Sequence, residues 1–204
     1  MLNIANNINA FQKIKFIIIN MILIISIILI LLTNYINTNA AISSMWSDPR
    51  VIVGLDLFPS FLAADNNILN KTNENDKLLI VFIYKYRKIE VEKMVDYFKK
   101  MKELKNKLID TSVINYDEID SIQKLKPAGI FIAEPFYDLS SIVKIGINNR
   151  IIIFSPYEGD VEQGILCGIF IGAKILPYIN KKTMINSKIN FKSFFLRISK
   201  YYEN

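Results

Sequence analysis

Apolar and polar positions follow two different patterns along this 204-residue chain. The first is one unbroken apolar block, Phe16 to Leu32, interrupted only by Asn20 and Ser26 and preceded by Lys13 and Lys15. The second begins at Val51, where shorter apolar runs alternate with amphipathic stretches. Val51 to Ala64 predicts a strand or turn leading into a helix with Pro59 near its first turn, where proline is tolerated. Asp65 to Lys77 is polar, lacks periodicity and predicts a loop. Leu78 to Tyr84 is a seven-residue apolar run flanked by charge, the pattern of a buried strand. In Ile89 to Leu104, Val91, Met94, Val95, Phe98 and Met101 recur at helical spacing. Further strands are predicted at Lys107 to Ile114, Ala128 to Ala133 and Arg150 to Ser155. Helices are predicted between them at Asp117 to Leu125 and at Asp138 to Asn148, the latter with Asp138 as N-cap.

This alternation predicts an α/β fold. Its three layers hold a mainly parallel sheet of about four strands joined by right-handed βαβ crossovers. The last third departs from the rhythm. Ile165 to Gly172 and Lys174 to Ile179 suit an antiparallel hairpin at one sheet edge. A terminal amphipathic helix is expected from the spacing of Phe191, Phe194, Phe195, Ile198 and Tyr202. An open apolar edge at Ile165 to Gly172 also suits a homodimer.

The first block carries the address. Basic residues, an apolar centre and the small-residue stretch Thr38-Asn39-Ala40 describe a secretory signal peptide, predicting residues 1–40 as a cleaved leader and 41–204 as one exported domain. The alternative is an uncleaved membrane anchor, since a block of 17 residues, 15 of them apolar, reaches the lower edge of a bilayer span of about 17 to 25. Membrane contact would then run through residues 16–32 alone, and the folded part is exported in either case.

Composition narrows the chemistry. Lys13 and Lys15 are two of the 25 basic side chains and no acid precedes residue 41, so the remainder carries a net +4. Its lysines are scattered, with no basic stripe interleaved with stacking aromatics, so no nucleic acid is expected as partner. The chain has no histidine, which removes Ser-His-Asp and Cys-His systems and His-containing metal sites. Cys167 is the only cysteine and reads as a small buried hydrophobe. No glycine-rich phosphate loop is present, and no cofactor or enzymatic activity is expected.

Two loops leave strands on the side where open α/β sheets bind ligands. Phe154 to Gly164 places Tyr157 beside the carboxylates of Glu158, Asp160 and Glu162. A solvated turn, a basic partner surface and a divalent cation are all compatible with that cluster, although EF-hand spacing is absent. Glu158 with Asp160 as a hydrolytic acid pair is conceivable, but two acids two residues apart need not face one substrate. The second loop, Glu134 to Asp138, carries Phe136 and Tyr137 as lid or core.

From Leu78 onward the chain resembles the YfiR/HmsC family of small periplasmic proteins. The resemblance rests on Gly168-Ile169-Phe170-Ile171, a second strand Ile175 to Ile179 followed by Asn180, and the tail Ile189 to Ile198. The strands Ala128 to Ala133 and Arg150 to Ser155 also fall where that family has its central strands. The chain departs from the family in lacking the aromatic opening that ends in Trp-Pro and the paired cysteines. Pro177 replaces a common aromatic, and Glu158 to Gly164 is an added acidic loop. The resemblance implies a non-enzymatic regulator that binds the periplasmic part of an inner-membrane signalling protein, typically a diguanylate cyclase governing biofilm formation, or a sensor kinase. Asn180 would then be structural, at the meeting of strand and helix, with Gly168 leading its strand. The residues expected to touch the partner are Tyr157, Glu158, Asp160, Glu162, Phe136 and Tyr137. The competing reading is a small-ligand binding protein resembling one lobe of a periplasmic solute receptor, for which this chain has room for one lobe of two.

Overall fold

The structure is a computed structural model that describes residues 20–29 and 48–203. Residues 20–29 are helical with exposed side chains. The rest of the Phe16–Leu32 block and the Thr38–Ala40 cleavage site lie outside the described residues. Among the described residues, no helix is long and apolar enough to cross a membrane.

Helix α1 spans Pro49–Ala64. Asp48 caps it by accepting from the Arg50 amide at 2.8 Å, and Pro49 occupies the first turn. The expectation of a strand or turn at Val51 is therefore corrected. Val51, Leu55, Phe58, Phe61 and Leu62 are buried at helical spacing, and Pro59 stands inside the helix rather than in its first turn. The core face of Phe58 and Phe61 outweighs the one lost backbone bond.

After a one-turn 3-10 segment at Ile68–Asn70, the remaining elements in chain order are β1 (Leu78–Tyr84), α2 (Lys88–Phe98), β2 (Glu103–Leu104), β3 (Lys107–Asn115), a 3-10 turn (Tyr116–Ser121), α3 (Ile122–Leu125) and β4 (Gly129–Ile132). They are followed by α4 (Ser140–Asn149), β5 (Ile152–Phe154), β6 (Cys167–Ile171), β7 (Ile175–Asn180), α5 (Lys181–Ser187), α6 (Ser193–Ile198) and β8 (Lys200–Tyr202). They build one eight-stranded sheet in the order β2-β3-β1-β4-β5-β6-β7-β8. The strands β3, β1, β4, β5 and β6 run parallel, β6 and β7 form the antiparallel hairpin, and β8 lies parallel to β7.

Two expectations are corrected here. The sheet has eight strands rather than about four with the hairpin beside them, because the two- and three-residue strands β2 and β8 are too short to show a period, whereas β5 lies within the expected Arg150 to Ser155. The terminal helix stops at Ile198, and Tyr202 lies on β8. The hairpin is consequently not the outermost element.

Alternation along β1 divides the core into two layers. Leu78, Ile80 and Phe82 pack with α1, α2 and the α6 region in a layer rich in phenylalanine. Leu79, Val81 and Ile83 pack against the 3-10 turn, α3 and α4 in a layer of isoleucine, leucine and valine. In the first layer Phe58, Phe82, Phe131 and Phe154 have ring centroids 5.4 to 5.7 Å apart in successive pairs. The chain leaves β1 toward β3 and then returns across it to β4. The neighbours β1 and β4 are thus the point where strand order reverses, and their carboxyl ends open a crevice.

Candidate functional site

The crevice is built from the ends of β1, β3, β4 and β5 and from the first turn of α1. Glu134, the second residue beyond β4, is buried. Its Oε1 accepts from the Arg87 amide at 2.5 Å and from the Tyr86 amide at 3.2 Å, which fixes the turn between β1 and α2. Pro135 follows directly and disfavours helical backbone at Glu134, where the chain bends. Tyr157 reaches across from the end of β5, its hydroxyl donating to the Ala133 carbonyl at 2.7 Å and its amide to Ser155 Oγ at 3.2 Å. Burial pushes the Tyr157 phenol well above its ordinary range, the charges of Asp48, Glu134 and Asp160 add to that, and Arg87 opposes it. Tyr157 is therefore a neutral strut between β4 and β5.

The acidic loop separates into three environments. Glu158 has a side chain 85% exposed and pairs with Arg50 Nη2 at 2.9 Å, tying the loop to the first turn of α1. Asp160 is buried and accepts from Ser155 Oγ at 2.5 Å. Its carboxyl is pushed up to about 6, chiefly by burial and further by Glu162, with the Ser155 bond opposing. Glu162 is exposed and accepts from the Tyr178 hydroxyl at 3.0 Å. The three carboxylates do not converge, and no group of His, Cys, Asp and Glu among the described residues could hold a metal ion. Glu158 and Asp160 likewise do not face a shared space, so their geometry gives no acid pair.

Around this braced centre the surface is aromatic. Tyr86 is 82% exposed and Tyr137 fully exposed. Phe136 packs on Tyr116 with ring centroids 4.8 Å apart, and Lys85 Nζ stands 5.4 Å from the Tyr116 ring and 5.7 Å from that of Tyr86. The candidate residues Tyr157, Phe136 and Tyr137 thus come together at one strand end with Glu158 on the α1 side, whereas Glu162 lies toward β7. Missing from the sequence reading were Glu134 as the organising carboxylate and Tyr86, Arg87 and Arg50. Glu134 had a local signal, since a proline directly after a carboxylate at a strand end keeps that residue out of a helix. Arg50 had none, because it meets Glu158 from 108 positions away.

The remaining candidates are internal. Asn180 is the N-cap of α5, accepting from the Thr183 amide at 2.9 Å and donating to the Val161 carbonyl at 2.7 Å. A Cβ on Gly168 would lie 2.6 Å from Val161 Cγ2 and 3.0 Å from the Ser155 carbonyl, so the loop closes over β6 only where a side chain is absent. Cys167 is a free, buried thiol that burial pushes upward.

No family model matches this chain, and no curated protein matches it either. Several solved structures are similar, two of them as follows. One is the ABC domain in complex with L-Trp from Streptococcus pneumonia, at 15% identity and TM-score 0.44, covering 69% of this chain and 60% of that one. The other is the ligand-free, open form of a substrate binding protein with adhesive properties from Clostridium difficile, at 16% identity and TM-score 0.50, covering 74% of this chain and 59% of that one. This chain thus spans less than two thirds of the length of either. At such identities the likeness to the second extends to the fold, which this layered α/β unit shares with a substrate-binding protein.

Proposed function

We propose that this chain is a non-enzymatic binding module whose working face is the carboxyl end of the sheet, and that the face docks onto the periplasmic part of an inner-membrane signalling protein. The observation that carries the reading is the pairing of a satisfied polar centre with projecting aromatics. Glu134, Tyr157 and Asp160 spend their hydrogen bonds on the fold itself, so they position the loops and perform no chemistry. Tyr86 and Tyr137 stand out from that rigid base, and large exposed aromatics flanked by arginine are the anchors of protein interfaces. The resemblance to YfiR/HmsC proteins supports the same reading.

The fold likeness favours a second reading, a small-ligand binding protein built like one lobe of a solute receptor, and supports it more directly than it supports docking. The two readings share a face and differ in what covers it. Affinity recovery from membranes with the full chain should enrich one inner-membrane signalling protein. The double variant Tyr86→Ala, Tyr137→Ala should lose it by about thirtyfold, as for anchors worth about 2 kcal/mol. Equal recovery by the variant would overturn the docking face. A rise in melting temperature with one small metabolite, and no protein enriched, would establish the second reading instead.

A further inference from the structure

The hairpin β6–β7 projects beyond the parallel sheet. β6 meets β5 through a single residue pair, Phe154 with Cys167, while its own pairing with β7 continues to Ile171 with Ile175. The hydrogen bonds fix which backbone groups face which way. Asn180 donates to the Leu166 carbonyl at 3.0 Å and Gly172 to the Lys174 carbonyl at 3.2 Å, so the even-numbered residues of β6 face β7. Ser155 donates to the Cys167 carbonyl at 2.9 Å, so the odd-numbered residues face away. Beyond Cys167 these are Ile169 and Ile171, and no backbone hydrogen bond reaches either from that side among the described residues.

The other edge of the hairpin is treated differently. By the same register Pro177 turns its missing N–H to the outer edge of β7, past the reach of β8, which pairs only with Tyr178 to Asn180. Proline on an edge blocks strand addition. The β6 edge has no such guard: Gly168, Ile169, Phe170 and Ile171 include neither proline nor charge, and Phe170 and Ile171 are 36% and 46% exposed.

We propose that a second copy of this chain adds to that edge, β6 against β6 and antiparallel, about a two-fold axis at Phe170. Ile169 and Ile171 lie symmetrically about Phe170. One two-fold therefore pairs Ile169 of each copy with Ile171 of the other, uses the outward donors and acceptors of both, and sets the two Phe170 rings side by side. Charge agrees with this direction. Each arm tip carries Lys174, which pairs with no acid among the described residues, and the antiparallel crossing sends it toward the base of the other arm, where the loop bears Glu158 and Glu162. The proposal is independent of what docks at the crevice.

Disulfide trapping in the full chain tests it. Directly opposed residues of this kind have Cα atoms about 4.5 Å apart, within disulfide range. Under mild oxidation Phe170→Cys should form covalent dimer about tenfold faster than Ile185→Cys on α5, although Ile185 is the more exposed of the two positions, 63% against 36%. Cys167 is buried and stays out of the reaction. Adding Ile171→Pro, which removes one outward N–H and leaves the hairpin's own bonds, should abolish trapping. Lys174→Glu should slow it about threefold without touching the hairpin, and decides the matter if Ile171→Pro unfolds. Trapping of Phe170→Cys no faster than the control, or unaffected by both added changes, would overturn the proposal.

Discussion

The two ends of the sheet are both rich in charged side chains and use them in opposite ways. At the amino end α3, α4 and α5 each finish in a left-handed basic residue, Lys126, Arg150 and Lys188, with φ of 49°, 56° and 56°. These cations sit where the helix dipoles are negative. Lys71 joins them, donating to the Arg150 carbonyl and pairing with the buried Asp65, each at 2.7 Å. Two cavities of about 310 Å³ adjoin there, both lined by Asn70, Lys71 and Asn149. Despite that space, every element of the amino end closes a helix or a buried charge. At the carboxyl end Glu134, Tyr157 and Asp160 are satisfied within the fold, while one buried nitrogen of Arg50 and one buried oxygen of Glu90 have no hydrogen-bond partner, and Tyr86 and Tyr137 project outward. A hollow marks where chain ends meet, whereas braced, protruding side chains mark where something else can bind.

Breaking the amino end should cost the most stability and the least binding. Lys71→Met leaves the Asp65 carboxylate buried without its cation, and chemical denaturation should register a loss of about 3 kcal/mol. Partner recovery at saturating concentration should be unchanged.

The next effect belongs to Asp160. Its folded pKa of about 6 exceeds the unfolded value, so folding takes up a proton. The associated stability is complete below about pH 4 and is lost as pH rises through about 6, on the order of 2 kcal/mol in all. Asp160→Asn should flatten the stability profile between pH 4 and 7. A slope that persists in the variant would assign it to another group.

Glu134→Ala frees the Tyr86 and Arg87 amides, and should lower stability by about 1.5 kcal/mol while loosening the turn that presents Tyr86. Amide exchange at residues 85–88 should quicken, and none should quicken around Lys71. The smallest stability change should come from Tyr86→Ala with Tyr137→Ala, within about 0.5 kcal/mol by thermal melting, although this pair should weaken docking most.

How legible these features were depends on distance along the chain. The continuous apolar run of Leu78 to Tyr84 announced a strand buried on both faces, and the loops after β4 and β5 were visible because each follows a strand. α1 was misread because its apolar residues surround the helix and Pro59 and Gly54 weaken the helical pattern. Tyr202 kept helical spacing with Ile198 although the chain had already turned into β8. The pairing of Arg50 with Glu158 depends on tertiary folding, and nothing local to either residue encodes it.

The central claim, that the carboxyl-end face is the binding face, is tested most directly by photocrosslinking in the living cell. A photoreactive phenylalanine analogue at Tyr137 of the full chain should yield one discrete adduct whose mass-spectrometric identity is an inner-membrane signalling protein, and the same group at Lys126 on the amino end should yield none. Adducts from position 126, with position 137 silent, would contradict the account.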